Sequence, residues 1–258
     1  MLRKRLIGTV TIRNGWAVQS IGYQKYLPVG KPECVIENLD RWGVDEIFLQ
    51  VVDRSSNNLG PDIDLIENIA NSGISTPLVY AGGIRTEEDA VNVIRAGADR
   101  ICIDALLHSN PEEVLNIALR LGGQAVIASI PLIITEDGTP QWYDYQTKKT
   151  VSMGDGLLNL FKDGAVSEAL LIDSKNEGQP NSFDFRLLSI FPEQNIPLIL
   201  FGGISESEQL EKALMEPSVS AAAVGNSLNY REHAVQKLKT KLAATPVRPA
   251  FYCDKSFG

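Results

Sequence analysis

Pro77-Leu-Val-Tyr-Ala-Gly-Gly-Ile-Arg-Thr-Glu-Glu88 and Pro197-Leu-Ile-Leu-Phe-Gly-Gly-Ile-Ser-Glu-Ser-Glu208 read alike, and they begin 120 residues apart. Each is an apolar run, then Gly-Gly-Ile, then a polar, acid-rich helix start. An apolar run closed by paired glycines is a buried strand ending in a turn where backbone approaches something closely. Two copies in 258 residues imply a duplicated half. The expected fold is α/β: a single (β/α)8 TIM barrel of the phosphate-binding kind, with halves at about 1–120 and 121–240.

The rest of the chain keeps the same rhythm. Expected strands are 5–12, 46–52, 77–81, 100–104, 125–131, 168–173, 197–201 and 220–225. Helical patterns start near 31, 61, 86, 110, 153, 184, 206 and 230. Strands alternating with helices imply a parallel sheet, and eight such units close into a barrel. The repeat reaches beyond the glycines: Val44-Asp-Glu-Ile-Phe-Leu matches Val166-Ser-Glu-Ala-Leu-Leu, and Asp104-Ala-Leu-Leu matches Asn226-Ser-Leu-Asn. Two stretches interrupt it. One is a loop at 13–30. The other, 132–152, contains Thr135-Glu-Asp-Gly-Thr-Pro and Gln141-Trp-Tyr-Asp-Tyr and reads as a small hairpin. Both follow strand ends, on the face where barrels do chemistry. A tail at 246–258 has no clear pattern.

Composition narrows the function. A net charge of −8 and a pI near 4.9 argue against a nucleic-acid footprint. No run of 18 apolar residues exists, so no membrane span is expected. Met1-Leu-Arg-Lys-Arg-Leu-Ile-Gly is basic, then apolar. Without a long apolar core or a small-residue cleavage site, it reads as the first strand and not as a signal peptide. Cys34, Cys102 and Cys253 form neither a disulfide framework nor a metal spacing, and the cytoplasm is the default. His108 and His233 lie near helix starts with no ligand-spaced partner. No metal or cofactor is called for.

Arg5-Leu-Ile, Asp45-Glu46, Gly82-Gly83-Ile84-Arg85-Thr86, Gly97-Ala98-Asp99-Arg100, Asn110-Pro111-Glu112 and Gly202-Gly203 together resemble the cyclase subunit of imidazole glycerol phosphate synthase, the HisF family, over nearly the full length. The resemblance implies a lyase that closes an imidazole ring with ammonia from a class I glutaminase subunit (HisH-like). It also implies two carboxylates, at the ends of strands one and five, as general acid and base. Those positions align with Thr11 and Ile130, which cannot exchange a proton near neutral pH. A positioned acid or base contributes about 10²–10⁴-fold. Val51, Gln19 and Phe201 replace an aspartate, a lysine and a serine of the family. Asp53, Asp173 and Lys175 are the fallback candidates for proton transfer or ligand contact, although turn residues or helix caps are the plainer reading.

The resemblance also implies two phosphate sites. One uses Gly202, Gly203, Gly225 and Asn226, with Glu177-Gly178 standing for an Asp-Gly of the family's phosphate loop. The other uses Gly82 and Gly83, where Asp104 and Ala105 replace an Asn-Thr pair and put a carboxylate against the anion. A tight packing turn is the favoured reading of Gly82-Gly83, and for Gly202-Gly203 it stands level with the phosphate site. At the opposite end, Arg5, Glu46, Arg100 and Glu168 match the family's ammonia gate in position and sign, and Asp99 matches a residue facing the glutaminase. A salt-bridge layer that merely fills the barrel bottom remains the alternative. Trp16, Tyr23 and Tyr26 suggest an apolar lid or partner surface.

The changed catalytic positions beside the kept gate favour a divergent HisF-like barrel. Its expected role is to pass ammonia from a glutaminase to a sugar amidotransferase, for amidination of a surface polysaccharide of the O-antigen type. The histidine-pathway cyclase and a stand-alone barrel binding a phosphorylated metabolite are the alternatives.

Overall fold

A computed structural model of the chain describes residues 3–145, 147–192, 195–229, 233–242 and 245–250. Twelve strands form one sheet: β1 (Arg5–Arg13), β2 (Trp16–Ile21), β3 (Lys25–Gly30), β4 (Glu46–Val51), β5 (Leu78–Ala81), β6 (Arg100–Ile103), β7 (Val126–Ile134), β8 (Pro140–Asp144), β9 (Lys149–Val151), β10 (Glu168–Asp173), β11 (Leu198–Phe201) and β12 (Val219–Val224). Eight of them, β1, β4, β5, β6, β7, β10, β11 and β12, pair in parallel. The β7–β10 and β12–β1 pairs complete the circle, so the sheet is a closed barrel. Helices follow the strands as the hydrophobic rhythm predicts. Where Thr86 follows the first glycine pair, its hydroxyl and the Asp89 carboxylate form a capping box that starts the helix Glu87–Arg95. Of the expected tail, Val247 bridges to Lys4, and 251–258 lie outside the described residues.

The stretch 13–30 is not the loop expected from its broken rhythm. It is a β-hairpin, β2–β3, which continues antiparallel from β1. Asn14-Gly15 makes the first turn with φ of 51° and 75°. That is the type I′ geometry which matches the twist of paired strands, and Asn-Gly is its strongest sequence signal. Gly22 and Tyr23 make the second turn with φ of 61° and 52°. The expected hairpin at 132–152 is present: β7 runs on past the barrel and pairs with β8, which pairs with β9.

Strand periodicity fills the barrel in layers. At the N-terminal end lie Arg5, Glu46, Arg100 and Glu168. Next come Ile7, Phe48, Val79, Cys102, Ile127, Leu170, Ile199 and Ala223, one side chain from each of the eight strands, around a void of about 10 Å³. Thr9, Gln50, Ala81, Ser129, Ile172 and Phe201 follow two residues further on. Outside the strands a second cluster, including Val10, Ile12, Leu49, Ile130 and Leu171, packs under the helices.

Each glycine pair makes the same close approach. A Cβ on Gly82 would lie 2.5 Å from the Val51 carbonyl oxygen, and one on Gly202 would lie 2.6 Å from that of Asp173. Val51 and Asp173 end the preceding barrel strands, β4 and β10. The φ values of Gly82 and Gly202, +140° and +99°, also disfavour any side chain. Gly82→Ala and Gly202→Ala are therefore each expected to cost on the order of 2–3 kcal/mol. Gly225→Ala, with only ordinary contacts at 3.6 Å or more, should stay within about 1 kcal/mol. Thermal denaturation of the three variants checks this, and equal losses would show that close approach is not the cause.

Candidate functional site

The N-terminal mouth is closed by four charges. Arg5 Nη1 lies 3.1 Å from Glu46 Oε2, and Arg5 Nη2 pairs with Glu168 Oε1. Arg100 Nη1 lies 3.4 Å from Glu46 Oε1 and 2.6 Å from Glu168 Oε2. Each guanidinium thus bridges both carboxylates, and the signs alternate around the ring. Arg100 also donates to Ser167 Oγ at 2.8 Å and to the Gln124 carbonyl at 3.2 Å. Glu46 is 3% exposed. Burial raises its carboxyl above the usual range despite Arg5 and Arg100. Burial works the same way on Glu168, but the Arg5 bond and both guanidinium charges outweigh it and hold that carboxyl low. Asp99, just before this ring in sequence, is exposed, and its carboxylate accepts from Leu78 N at 2.8 Å.

The C-terminal mouth is covered by both hairpins. Tyr23, at the tip of β2–β3, packs on the interior apolar layer, and its hydroxyl bonds to Gln50 at 3.1 Å. Tyr145, beyond β8, meets Tyr23 edge-on with ring centroids 4.8 Å apart and shares a hydrogen bond with Ser174. Beside them a cleft of about 330 Å³ is lined by Gln19, Ile21, Glu177, Gly178, Phe201, Gly203, Gly225, Asn226 and Ser227, among others. The second-half residues singled out from sequence therefore do converge, with Gly202 directly behind Gly203. The Ser227 hydroxyl is buried with no hydrogen-bond partner among the described residues. The Asn226 amide is engaged by the hairpin, donating to Ser20 O at 2.6 Å and accepting from Ser20 N at 3.3 Å.

The first-half glycine pair is closely packed. A Cβ on Gly83 would fall 2.7 Å from the Leu59 and Gly60 carbonyls, and its N–H already donates to Ser55 Oγ at 3.2 Å. Ala105 opens the short helix Leu106–Ser109. Asp104 follows β6 and lies near Asp144 of β8. Burial and the Asp144 carboxylate push Asp104 up to about 8, with the Trp142 indole opposing the shift. From the sequence, Asp104 reads only as an obstacle to phosphate. Its partner Asp144 sits in an inserted hairpin, so no local spacing linked the two.

The remaining candidates have structural partners. Thr11 is buried near the C-terminal end of the β1 barrel pairing. Ile130, aligned with the second family carboxylate, does not face the interior. It sits opposite Leu171 in the outer cluster. Strand alternation turns Pro131 inward instead, opposite Ile172. The alignment was one residue off the inward register, yet proline carries no acid either. Asp53 accepts from Asn14 N at 2.7 Å and braces the Asn-Gly turn. Asp173 accepts from Asn176 N, Asn176 Nδ2 and Asp184 N, which fixes the loop after β10. Lys175 is exposed. Val51 packs in the outer cluster. Trp16 is exposed, and Tyr26 lies 4.3 Å under the Arg13 guanidinium. Cys102 is buried in the apolar layer, and burial pushes its thiol well up. His108 stacks edge-on against Trp142, and His233 precedes the helix Ala234–Lys241. Among the described residues, no three His, Cys, Asp or Glu side chains gather to hold a metal ion.

Two outcomes follow. Glu46→Ala leaves buried guanidinium charge unpaired and should lower stability by about 3–5 kcal/mol, measured by denaturant unfolding. A loss within about 0.5 kcal/mol would mean the ring is solvated. For Asp104, the folded carboxyl keeps its proton up to about 8 against a usual 3.8. Stability is therefore present at low pH and lost as pH rises through that window. Asp104→Asn should raise the thermal midpoint above wild type at about pH 9, with the gain shrinking towards about pH 4. A pH-independent difference would assign the titration elsewhere.

No helix among the described residues is long and apolar enough to cross a membrane. The chain matches the histidine biosynthesis protein family over residues 5–234. It is 29% identical over 245 residues to a Vibrio vulnificus (strain YJ016) protein provisionally named imidazole glycerol phosphate synthase subunit hisF2, covering 94% of this chain and 89% of that one. It is 26% identical over 245 residues to imidazole glycerol phosphate synthase subunit HisF of Natranaerobius thermophilus, covering 94% and 97%. The chain therefore belongs to the histidine biosynthesis protein family, as a divergent HisF-like barrel.

Proposed function

We propose that this barrel conducts ammonia. A class I glutaminase of the HisH kind docks on the N-terminal face around Asp99 and releases ammonia at the ring of Arg5, Glu46, Arg100 and Glu168. The ring parts, ammonia crosses the apolar layer as the neutral molecule, and it emerges at the C-terminal mouth. A separate sugar amidotransferase takes it there and amidinates a sugar of a surface polysaccharide. A phosphate-bearing molecule sits in the cleft at Gly178, Gly203, Gly225 and Asn226, where the unpartnered Ser227 hydroxyl can donate to an anion. The whole reading belongs in the cytoplasm.

The observation that carries this proposal is a contrast between the two ends. The inward positions at the ends of barrel strands one and five hold Thr11 and Pro131, neither of which is an acid or base, while the four-charge ring is closed and internally paired. Ring closure of an imidazole needs proton transfers, and Thr11 and Pro131 supply none.

The second reading, the cyclase of histidine biosynthesis, is favoured by the names of both relatives, which are subunits of imidazole glycerol phosphate synthase. Asp104 would then handle the proton. Steady-state assay with the natural ribonucleotide and saturating ammonium salt separates the two. The proposal expects no ring closure; turnover within about 10²-fold of an ordinary ~10 s⁻¹ would favour the cyclase. Co-purification with a glutaminase, and glutamine-dependent transfer that Glu46→Ala makes leaky while added ammonium salt still works, tests the conduit directly. Undisturbed glutamine-dependent transfer in Glu46→Ala would leave the ring a packing device.

A further inference from the structure

Tyr23 and the cleft share their supports. The hairpin tip that carries Tyr23 is held from below by Glu177. Its carboxylate accepts from Ser20 Oγ at 3.0 Å and from Tyr23 N at 3.1 Å, and its carbonyl accepts from Gly22 N at 2.9 Å. Asn226 adds two bonds to Ser20. A Cβ on Gly178 would lie 2.1 Å from the Ser20 carbonyl oxygen, so the hairpin rests directly on that glycine. Glu177, Gly178 and Asn226 also line the cleft, and so do Gln19 and Ile21 of the hairpin itself. The tip is thus clamped by the same groups that an occupant of the cleft must touch.

Tyr23 in turn occupies the mouth. Its ring packs on the interior layer that includes Ile7, Phe48 and Cys102, and its hydroxyl exchanges hydrogen bonds with Gln50 of β4. Its backbone has φ of +52°, a region costly for a side chain with a Cβ. The position is held by the surrounding bonds and not by local preference. Glu177 is 2% exposed, and burial raises its carboxyl despite the hairpin bonds. An anion placed beside it disfavours the carboxylate further, both by repulsion and by competing for the same donors.

We propose that Tyr23 is a stopper seated in the C-terminal mouth of the barrel, that Glu177 is its latch, and that an anionic ligand entering the cleft releases it. The chemistry that opens the mouth is a phosphate or similar oxyanion, which weakens the carboxylate's hold on Ser20 and Tyr23. The inference concerns access to the barrel interior and stands whether or not ammonia is the molecule that passes.

Cys102 supplies the readout, because it belongs to the interior cluster on which Tyr23 packs. In the full-length chain with Cys34→Ser and Cys253→Ser, Cys102 is the one remaining thiol. Its reaction rate with methyl methanethiosulfonate, at fixed pH, reports how often the mouth opens. Tyr23→Ala should speed labelling by about tenfold or more, and Tyr23→Phe, which keeps the ring but loses the Gln50 bond, should stay within about threefold. Glu177→Ala should also label fast. Inorganic phosphate should speed labelling of the Tyr23 protein and leave the already open Glu177→Ala rate unchanged. Hydrogen exchange of the barrel strands, compared across variants, separates mouth opening from unfolding. Labelling of Tyr23→Ala no faster than the parent would overturn the stopper, as would exchange that rises throughout the barrel in step with it. Phosphate that slows or does not alter parent labelling would overturn the release. Neither result touches the assay of glutamine-dependent transfer.

Discussion

A closed barrel of eight parallel strands has an interior that side chains must fill, and that constraint orders everything else in this molecule. The filling is sharply stratified. Charge sits at the N-terminal end, eight apolar groups lie above it, and polar groups and a tyrosine complete the stack. Paired charges suit the end because a ring of two guanidiniums and two carboxylates satisfies itself without help from the next layer. Losing one member strands the others, since burial penalises an unpaired charge far more than a paired one. The layer above has no donors to offer beyond a single raised thiol, so the ring must be complete within its own plane.

The barrel was legible because its signals are local and repeated. The Gly-Gly-Ile pairs, the apolar runs and the capping sequence after Thr86 each predict one element and agree with one another. All eight barrel strands fall within a residue or so of their expected starts. The 13–30 hairpin was missed although Asn14-Gly15 announces it, because the alternating pattern of β2 and β3 is broken by Gly22 and Pro28. The candidate site was only half legible. The ring residues share a face by strand periodicity, so their meeting could be read from spacing. Register at the far end could not: Ile130 and Pro131 differ by one residue, and that single step moves a side chain from the helix-facing side to the interior. Asp104 and Asp144 are joined by an insertion, and Glu177 meets Tyr23 across 154 residues. No local pattern encodes such pairs.

The surroundings of the two glycine pairs differ. Both glycine pairs keep the close approach to the preceding strand's last carbonyl, which is a requirement of packing. The second has an open cleft beside it. In the first half the segment at Leu59-Gly60 lies over Gly83, and an acid pair stands nearby. The two glycine pairs are thus alike in how they pack against the preceding strand and unlike in what lies beside them.

The apolar layer has a consequence of its own. A shell to which every strand contributes leaves no polar seam from one end of the barrel to the other. Carrying an ion through it would strip hydration with nothing to replace it, at a cost of tens of kcal/mol in the limiting case. The layer is therefore a dielectric septum. The penalty is the same for an ion of either sign and from either mouth. Groups at the two mouths accordingly exchange protons around the outside, through solvent, and not through the barrel.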